Sequence, residues 1–434
     1  MLRSLLVAGI IFSLIPACFF RPWIGILVWT WISYMSPHRL TYGFAYDFPF
    51  ALIVSAATLA GLLTARDKGK IPPTGEVILL AALWLVFFLS TVLAAFYPDN
   101  AWAQLNKVSK ILLMTFVTIM LIQTRERLTA LFAVVAFSLG FFGLKGGIWS
   151  LATGGQDQVL GPSGSFLGGN TEIGLALNMN LPILFYLRRQ VKRPIVRHLM
   201  LVTFLFSIIA IIITYSRGAL LGLIAVLGFI SLNTKARVFG IALLIIAIPL
   251  ATAVLPERWL TRMGTIKTYE EDASAMGRIH TWILSTRIAM DRPFLGAGFR
   301  CLTEDTTLRY MPESPDRGFD AHNVFFQVLA EHGFTGLILF AALIATTLNS
   351  LRRIRRRTRR IRSLAWMNDY AQMLQGSLIA YVVSGFFLSL SYFDLFYLLV
   401  AATVVLRILL HQELKREQET SDVPAGVAAA VAST

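Results

Sequence analysis

The sequence predicts an all-α polytopic membrane protein with about twelve transmembrane helices and one large external loop containing amphipathic helices. Three observations carry this. The 434-residue chain is 56% hydrophobic and only 15% charged. Apolar runs of roughly 20 residues recur along it, the length at which an α-helix crosses a bilayer. These runs lack the polar–apolar alternation of barrel strands, and one long polar stretch, 255–322, interrupts them.

The runs cover 4–20, 23–35, 48–64, 76–96, 107–122, 128–151, 171–187, 198–214, 217–232, 238–254, 323–350, 370–390 and 394–410. The first resembles a signal peptide. No small-residue cleavage site follows it and further apolar runs do, so it reads as retained. Basic connections carry Arg66, Lys68 and Lys70; Arg125 and Arg127; Arg188 to Arg197; Lys235 and Arg237; and the arginine run from Arg352 to Arg362. They alternate with connections poor in Lys and Arg at 36–47, 97–106, 152–170 and 391–393. The positive-inside rule puts the basic set in the cytoplasm and the other set outside, and the long loop falls outside with the latter. Thirteen crossings would place the N-terminus outside, against Arg3. Treating the two runs that meet at Arg21-Pro22 as one re-entrant or kinked unit gives twelve, with both ends inside.

Four regions follow. Residues 1–254 form the N-terminal membrane bundle, and 255–322 the external loop. Residues 323–411 are C-terminal membrane helices around a cytoplasmic Arg-rich loop, and 412–434 a disordered tail, rich in Glu and Lys and then in Ala. The net charge of +15 sits mostly in the short connections, which argues against nucleic acid and for membrane lipid as the partner of the arginine run. Cys18 lies in an apolar run and Cys301 in the loop, so no disulfide joins them.

His322 closes the long loop, within Asp320-Ala321-His322-Asn323, at the start of an apolar run. The positive end of a helix dipole disfavours imidazolium, leaving a neutral ring able to accept a proton; the plainer alternative is an interfacial or capping histidine. Tyr215-Ser216-Arg217-Gly218 joins two runs with almost no loop, which holds the Arg217 guanidinium at the outer face with no carboxylate nearby in sequence. An arginine fork suits phosphate oxygens, and snorkelling to lipid headgroups is the alternative. In the loop, Gly277-Arg278-Ile279 opens an amphipathic segment with Ile279, Trp282, Ile283 and Thr286 on one face. Asp291-Arg292-Pro293 ends it, and Gly296-Ala297-Gly298-Phe299-Arg300 follows as a flexible turn. Such a helix on the membrane would hold Arg278 over the bundle. Substrate-contact candidates are Asn323, Asn170 in the glycine-rich segment 164–172, Lys145 at the outer end of its run, and Arg300. Asn170 also fits a helix cap. Glu270, Glu271 and Asp272 are spaced to hold a divalent metal, but in a polar stretch they read as a solvated face. No Walker loop, Rossmann fingerprint, zinc spacing or nucleophile elbow is present, and neither metal nor cofactor is expected.

Ser216-Arg217-Gly218, Gly277-Arg278 with Trp282, Pro293-Phe294-Leu295-Gly296-Ala297-Gly298, and His322-Asn323-Val324-Phe325-Phe326-Gln327 running on to Glu331-His332-Gly333-Phe334-Thr335-Gly336 occur in this order. In order and placement they resemble the O-antigen ligase and O-antigen polymerase superfamily, and most of all an O-antigen ligase. The N-terminal segments are similar to the subgroup described as O-glycosylation ligases. The resemblance implies a multi-pass protein of the bacterial inner membrane whose external loop is periplasmic. It implies transfer of a glycan from undecaprenyl diphosphate to an acceptor, which for the ligase is a hydroxyl of lipid A-core. In that reading His322 takes the acceptor's proton, and Arg217 and Arg278 bind the diphosphate leaving group, so inversion proceeds without a metal. An O-antigen polymerase or a protein O-oligosaccharyltransferase shares these features. A lipid-linked sugar flippase is the alternative of another class, but the chain has no internal repeat and its candidate residues gather at one face.

Overall fold

The computed structural model of the chain describes residues 1–233, 273–314 and 320–421. The apolar run 238–254, Lys235, Arg237, the acidic cluster Glu270-Glu271-Asp272 and the tail from 422 onward lie outside the described residues. Every regular element described is helical: α1 (Leu2–Phe20), α2 (Pro22–Met35), α3 (Phe50–Thr64), α4 (Gly75–Leu93), α5 (Pro98–Leu121), α6 (Arg125–Ala152), α7 (Asn170–Leu187), α8 (Pro194–Ile212), α9 (Arg217–Asn233), α10 (Ala273–Asp291), α11 (Glu304–Tyr310), α12 (Val324–Thr358), α13 (Ala365–Gly385) and α14 (Asp394–Ser421), with a 3₁₀ turn at Pro37–Leu40. Seven of these are long and apolar enough to cross a membrane. Their starts follow local chemistry. Pro22, Pro98 and Pro194 occupy first positions, where a missing N–H costs nothing, and Thr124 caps α6 by accepting from Arg127 N at 3.3 Å.

α7 is buried on every side from Ile173 to Leu187 and packs against α6, α8, α9 and α13. Its polar side chains are spent on neighbouring backbone: Asn178 Nδ2 donates to Ala219 O at 2.7 Å and Asn180 Nδ2 to Ala136 O at 3.1 Å. In hydrocarbon such groups need internal partners, so these bonds also fix the helix pairing.

The connections sort to two ends of the bundle. At one end, Arg127 pairs with Asp67, Arg189 with Asp369 at 3.0 Å, and Arg407 with Glu76 at 3.6 Å. At the other, Tyr46 donates to Ser163 O at 3.3 Å, Phe96 N to Ala297 O at 2.9 Å, and His322 N to Ser389 Oγ at 2.9 Å. The basic connections meet at the first end, and those poor in Lys and Arg at the second.

Three expectations need correction. The runs that meet at Arg21-Pro22 are not one kinked unit. Ser4 Oγ donates to Tyr42 O at 2.7 Å, while a Cβ on Gly61, near the end of α3, would meet Phe19 O at 2.1 Å. α1 therefore runs back along α2 as an antiparallel hairpin, with Arg21 at the basic end and the N-terminus at the opposite end from the end of α14. Most of the arginine run is not a loop either, because α12 continues to Thr358 and leaves only Arg359, Arg360 and Arg362 to the connection. Arginine is a good helix former, and cations in a last turn complement the helix dipole. Residues 412–421, expected in the disordered tail, extend α14; Lys415–Glu419 and Arg416–Glu413 pairs, each at 3.6 Å, support that extension. On α10, the face that packs against the bundle lies beside the one carrying Ile279, Trp282, Ile283 and Thr286. Thr281, Leu284, Ser285 and Ile288 are buried, while Ile283 is 40% exposed. Thr281 and Ser285 can face inward because their hydroxyls bond back to Gly277 O and Thr281 O, both at 2.8 Å.

Candidate functional site

A break in α12 organises the loop end of the bundle. Gly333 has φ 66° and ψ −168°, a backbone region open essentially to glycine alone. The break frees the carbonyls of Ala330 and Glu331 from their helical partners. Ala297 N and Gly298 N take them at 3.0 and 2.9 Å, and the displaced Phe334 N donates to Pro293 O at 2.8 Å. Each broken helical bond is thus replaced by a loop bond, as a buried backbone requires. Gly296 must lack a side chain, since a Cβ there would stand 2.6 Å from Ala330 O. The segment Gly296–Phe299, expected to be a flexible turn, is instead buried against the break. Replacing Gly333 with alanine is expected to cost about 3 kcal/mol or more, because its Cβ would also meet Pro293 O at 2.5 Å. A thermal melt of the detergent-solubilised protein checks this, with Gly228→Ala as control, where nothing lies within 4 Å and the helix tolerates alanine.

α10 docks on the same element. Trp282 Nε1 donates to Ala321 O at 2.8 Å, and its indole stacks on Phe326 at 5.2 Å between ring centroids and 3° between planes. One turn earlier on α10 is Arg278, whose charge acts on His322. His322 is exposed, in a left-handed conformation with φ 46°, and its N–H is held by Ser389 Oγ. Partial burial is the main influence pushing its imidazole below the ordinary value of 6.5; Arg278 pushes the same way, and Asp320 and Glu172 oppose. The ring is therefore neutral at neutral pH, through desolvation and a neighbouring guanidinium.

Arg217 is half-buried at the start of α9. A Cβ on its neighbour Gly218 would meet Phe387 Cβ at 2.4 Å, and Phe387 lies two residues before Ser389, the partner of His322. Asn170 Nδ2 donates to Thr214 O at 2.8 Å, tying the start of α7 to the turn that carries Arg217. The charges of Arg278, Asp320 and Glu172 thus act on His322, and the turn that carries Arg217 packs through Gly218 against the α13–α14 connection.

Beside this group opens a cavity of about 430 Å³. Lys107, Arg300, Asp320, Gln327, Glu331 and Tyr392 are among its lining residues. Arg300 reaches it through a left-handed backbone at φ 55°, with its N–H on Glu331 Oε1 at 2.9 Å. Lys107 Nζ lies 3.4 Å over the Phe166 ring. Not every candidate belongs here. Lys145 is on the exposed face of α6 with Phe141, Ile148 and Trp149, where a lysine extends along lipid rather than toward the cavity. Asn323 is fully buried and is not among the residues lining the cavity; its Oδ1 caps α12 by accepting from Phe325 N at 2.8 Å and Phe326 N at 3.3 Å. Asn170 likewise positions backbone.

Residues 202–341 match the family model described as O-antigen ligase, and residues 2–192 match one described as a family of unknown function. A search of curated proteins returned no significant match. The O-antigen ligase region contains Arg217, Arg278, Arg300 and His322, whereas Lys145 and Asn170 fall in the N-terminal match.

Within the O-antigen ligase region, sequence reasoning passed over Glu331 and His332 as individual residues. Glu331 Oε2 accepts from Tyr392 OH, and His332 bridges Ser90 Oγ at 2.6 Å and Tyr392 OH at 2.9 Å, between the Phe87 and Phe299 rings. This network ties α4, α12 and the α13–α14 connection together beneath the cavity floor. A carboxylate and an imidazole inside an apolar run, directly before a glycine, were the available signal.

Proposed function

We propose that the protein is an O-antigen ligase, a glycosyltransferase of the bacterial inner membrane with about a dozen crossings and its cavity end facing the periplasm. It moves glycan from undecaprenyl diphosphate to a hydroxyl of lipid A-core. The observation that carries this reading is the juxtaposition of His322, a neutral imidazole at the surface, with Arg278 beside the cavity, inside the O-antigen ligase region. His322 accepts the acceptor's proton as its oxygen attacks the anomeric carbon. The C–O bond to the diphosphate breaks, and Arg278 and Arg217 take the charge that builds on the departing oxygen. Attack opposite the leaving group inverts the anomeric centre. Arg300 and Lys107 line the cavity in which the sugars of the two substrates would meet.

The test is transfer by purified protein given lipid-linked glycan and lipid A-core, followed across pH. Because only neutral imidazole is a base, kcat/KM should rise with pH through a value below 6.5 and stay level above it. Glycan carried on a peptide, or only lengthened on its lipid, would overturn the ligase assignment. A rate that falls as pH rises over that range would remove His322 as the base.

A further inference from the structure

The basic end of the bundle carries a second cavity, far from the chemistry proposed above. Because α12 stays helical to Thr358, with its cap Arg359 still in helical backbone, spacings of three and four residues put Arg352, Arg355, Arg356 and Arg359 on one face. They line a cavity of about 340 Å³ together with Asn233, Asn368 and Gln372. Among the described residues, no carboxylate lines it and none of the four arginines pairs with one. That differs from Arg127, Arg189 and Arg407 at the same end, each of which has an acidic partner. Arg355 is the fixed member of the set: its guanidinium donates to Gln375 Oε1 at 2.7 Å and Asn233 Oδ1 at 2.6 Å, which anchors the cavity wall to α13 and α9. The other three guanidinium groups are exposed. Gln372 is 5% exposed, and its Oε1 has no hydrogen-bond partner.

We propose that this cavity binds the head group of an acidic, glycerol-bearing phospholipid. Guanidinium forks match phosphate oxygens in pairs, and several of them side by side favour a membrane anion over isolated surface contact. The unpartnered Gln372 oxygen is an acceptor, which a bare phosphate dianion leaves unsatisfied and a head-group hydroxyl satisfies. The arginines stand where a helix of bilayer-spanning composition passes into its basic end, the depth at which head groups lie.

The full chain is reconstituted in phosphatidylethanolamine vesicles with and without phosphatidylglycerol, and retained lipid is counted by native mass spectrometry after detergent extraction. Phosphatidylglycerol should stay bound to the unaltered protein. Retention should weaken by about fivefold for each arginine removed, hence roughly a hundredfold in the Arg352→Gln/Arg356→Gln/Arg359→Gln variant. Arg360→Gln/Arg362→Gln, on the same connection but not lining the cavity, should retain it fully. Equal retention in the triple variant overturns the proposal. So does displacement of the lipid by inorganic phosphate, which would make this a free-phosphate site, or equal retention of phosphatidylethanolamine. Should the triple variant fail to fold, the matching Arg→Lys variant keeps the charge and loses the fork. Weakened retention there supports the site, and unchanged retention overturns it.

Discussion

Replacing His322 with asparagine is expected to lower turnover by about 10²–10⁴-fold, the range that a positioned general base supplies. Asparagine is the informative substitution. At φ 46° the backbone of residue 322 is left-handed, a conformation asparagine tolerates better than alanine. The N–H bond to Ser389 Oγ and the Trp282 bond to the preceding carbonyl need no imidazole, so the local fold should survive. What disappears is the ring nitrogen. The measurement pairs glycan transfer with a thermal midpoint and with binding of the lipid-linked donor. Turnover should collapse while midpoint and donor binding hold, because the donor's diphosphate is assigned to the arginines. Retained turnover would leave His322 as an interfacial residue and end the base assignment. Loss of donor binding would instead make it a ligand for the diphosphate.

The expectations that held were those in which hydropathy and sequence-local chemistry act alone. The end of the third apolar run at Thr64, the stop of α10 at Asp291 before Pro293, and the sorting of basic connections to one end all follow from residues adjacent in sequence. Failures came where a distant partner decides the outcome. Gly296 and Gly298 signal flexibility in isolation, yet they are required by carbonyls that the break at Gly333 leaves open. The arginine run read as a loop because hydropathy measures preference for lipid and is blind to helix propensity, which arginine has. Asn170 reads as a helix cap from its position, but Gly169 stands at the cap and the Asn170 amide fastens Thr214 O instead, whereas Asn323, read as a substrate contact, is the residue that caps its helix. The nearness of Arg278 to His322 could not be read locally, since it depends on Trp282 docking α10 onto Ala321 and Phe326.

Arg278→Gln carries the second large effect, and it separates the two jobs proposed for one guanidinium. A cation aimed at the departing diphosphate stabilises charge that exists mainly in the transition state, so its removal should cost about 10²–10³ in kcat at neutral pH. The same charge helps hold the His322 imidazole below its ordinary value, behind the larger influence of burial. Neutralising it should therefore raise that value, and the acid limb of the pH profile should move to higher pH. Arg278→Lys distinguishes the jobs: it keeps a charge, so the acid limb should stay in place, but it loses the two-pronged contact with phosphate oxygens, so kcat should still fall. Burial remains in both variants, so the limb is not expected to pass far beyond 6.5. An acid limb unmoved in Arg278→Gln would mean that its charge does not reach the base in the working enzyme. A moved limb with undiminished kcat would confine Arg278 to tuning His322 and leave the leaving group to Arg217.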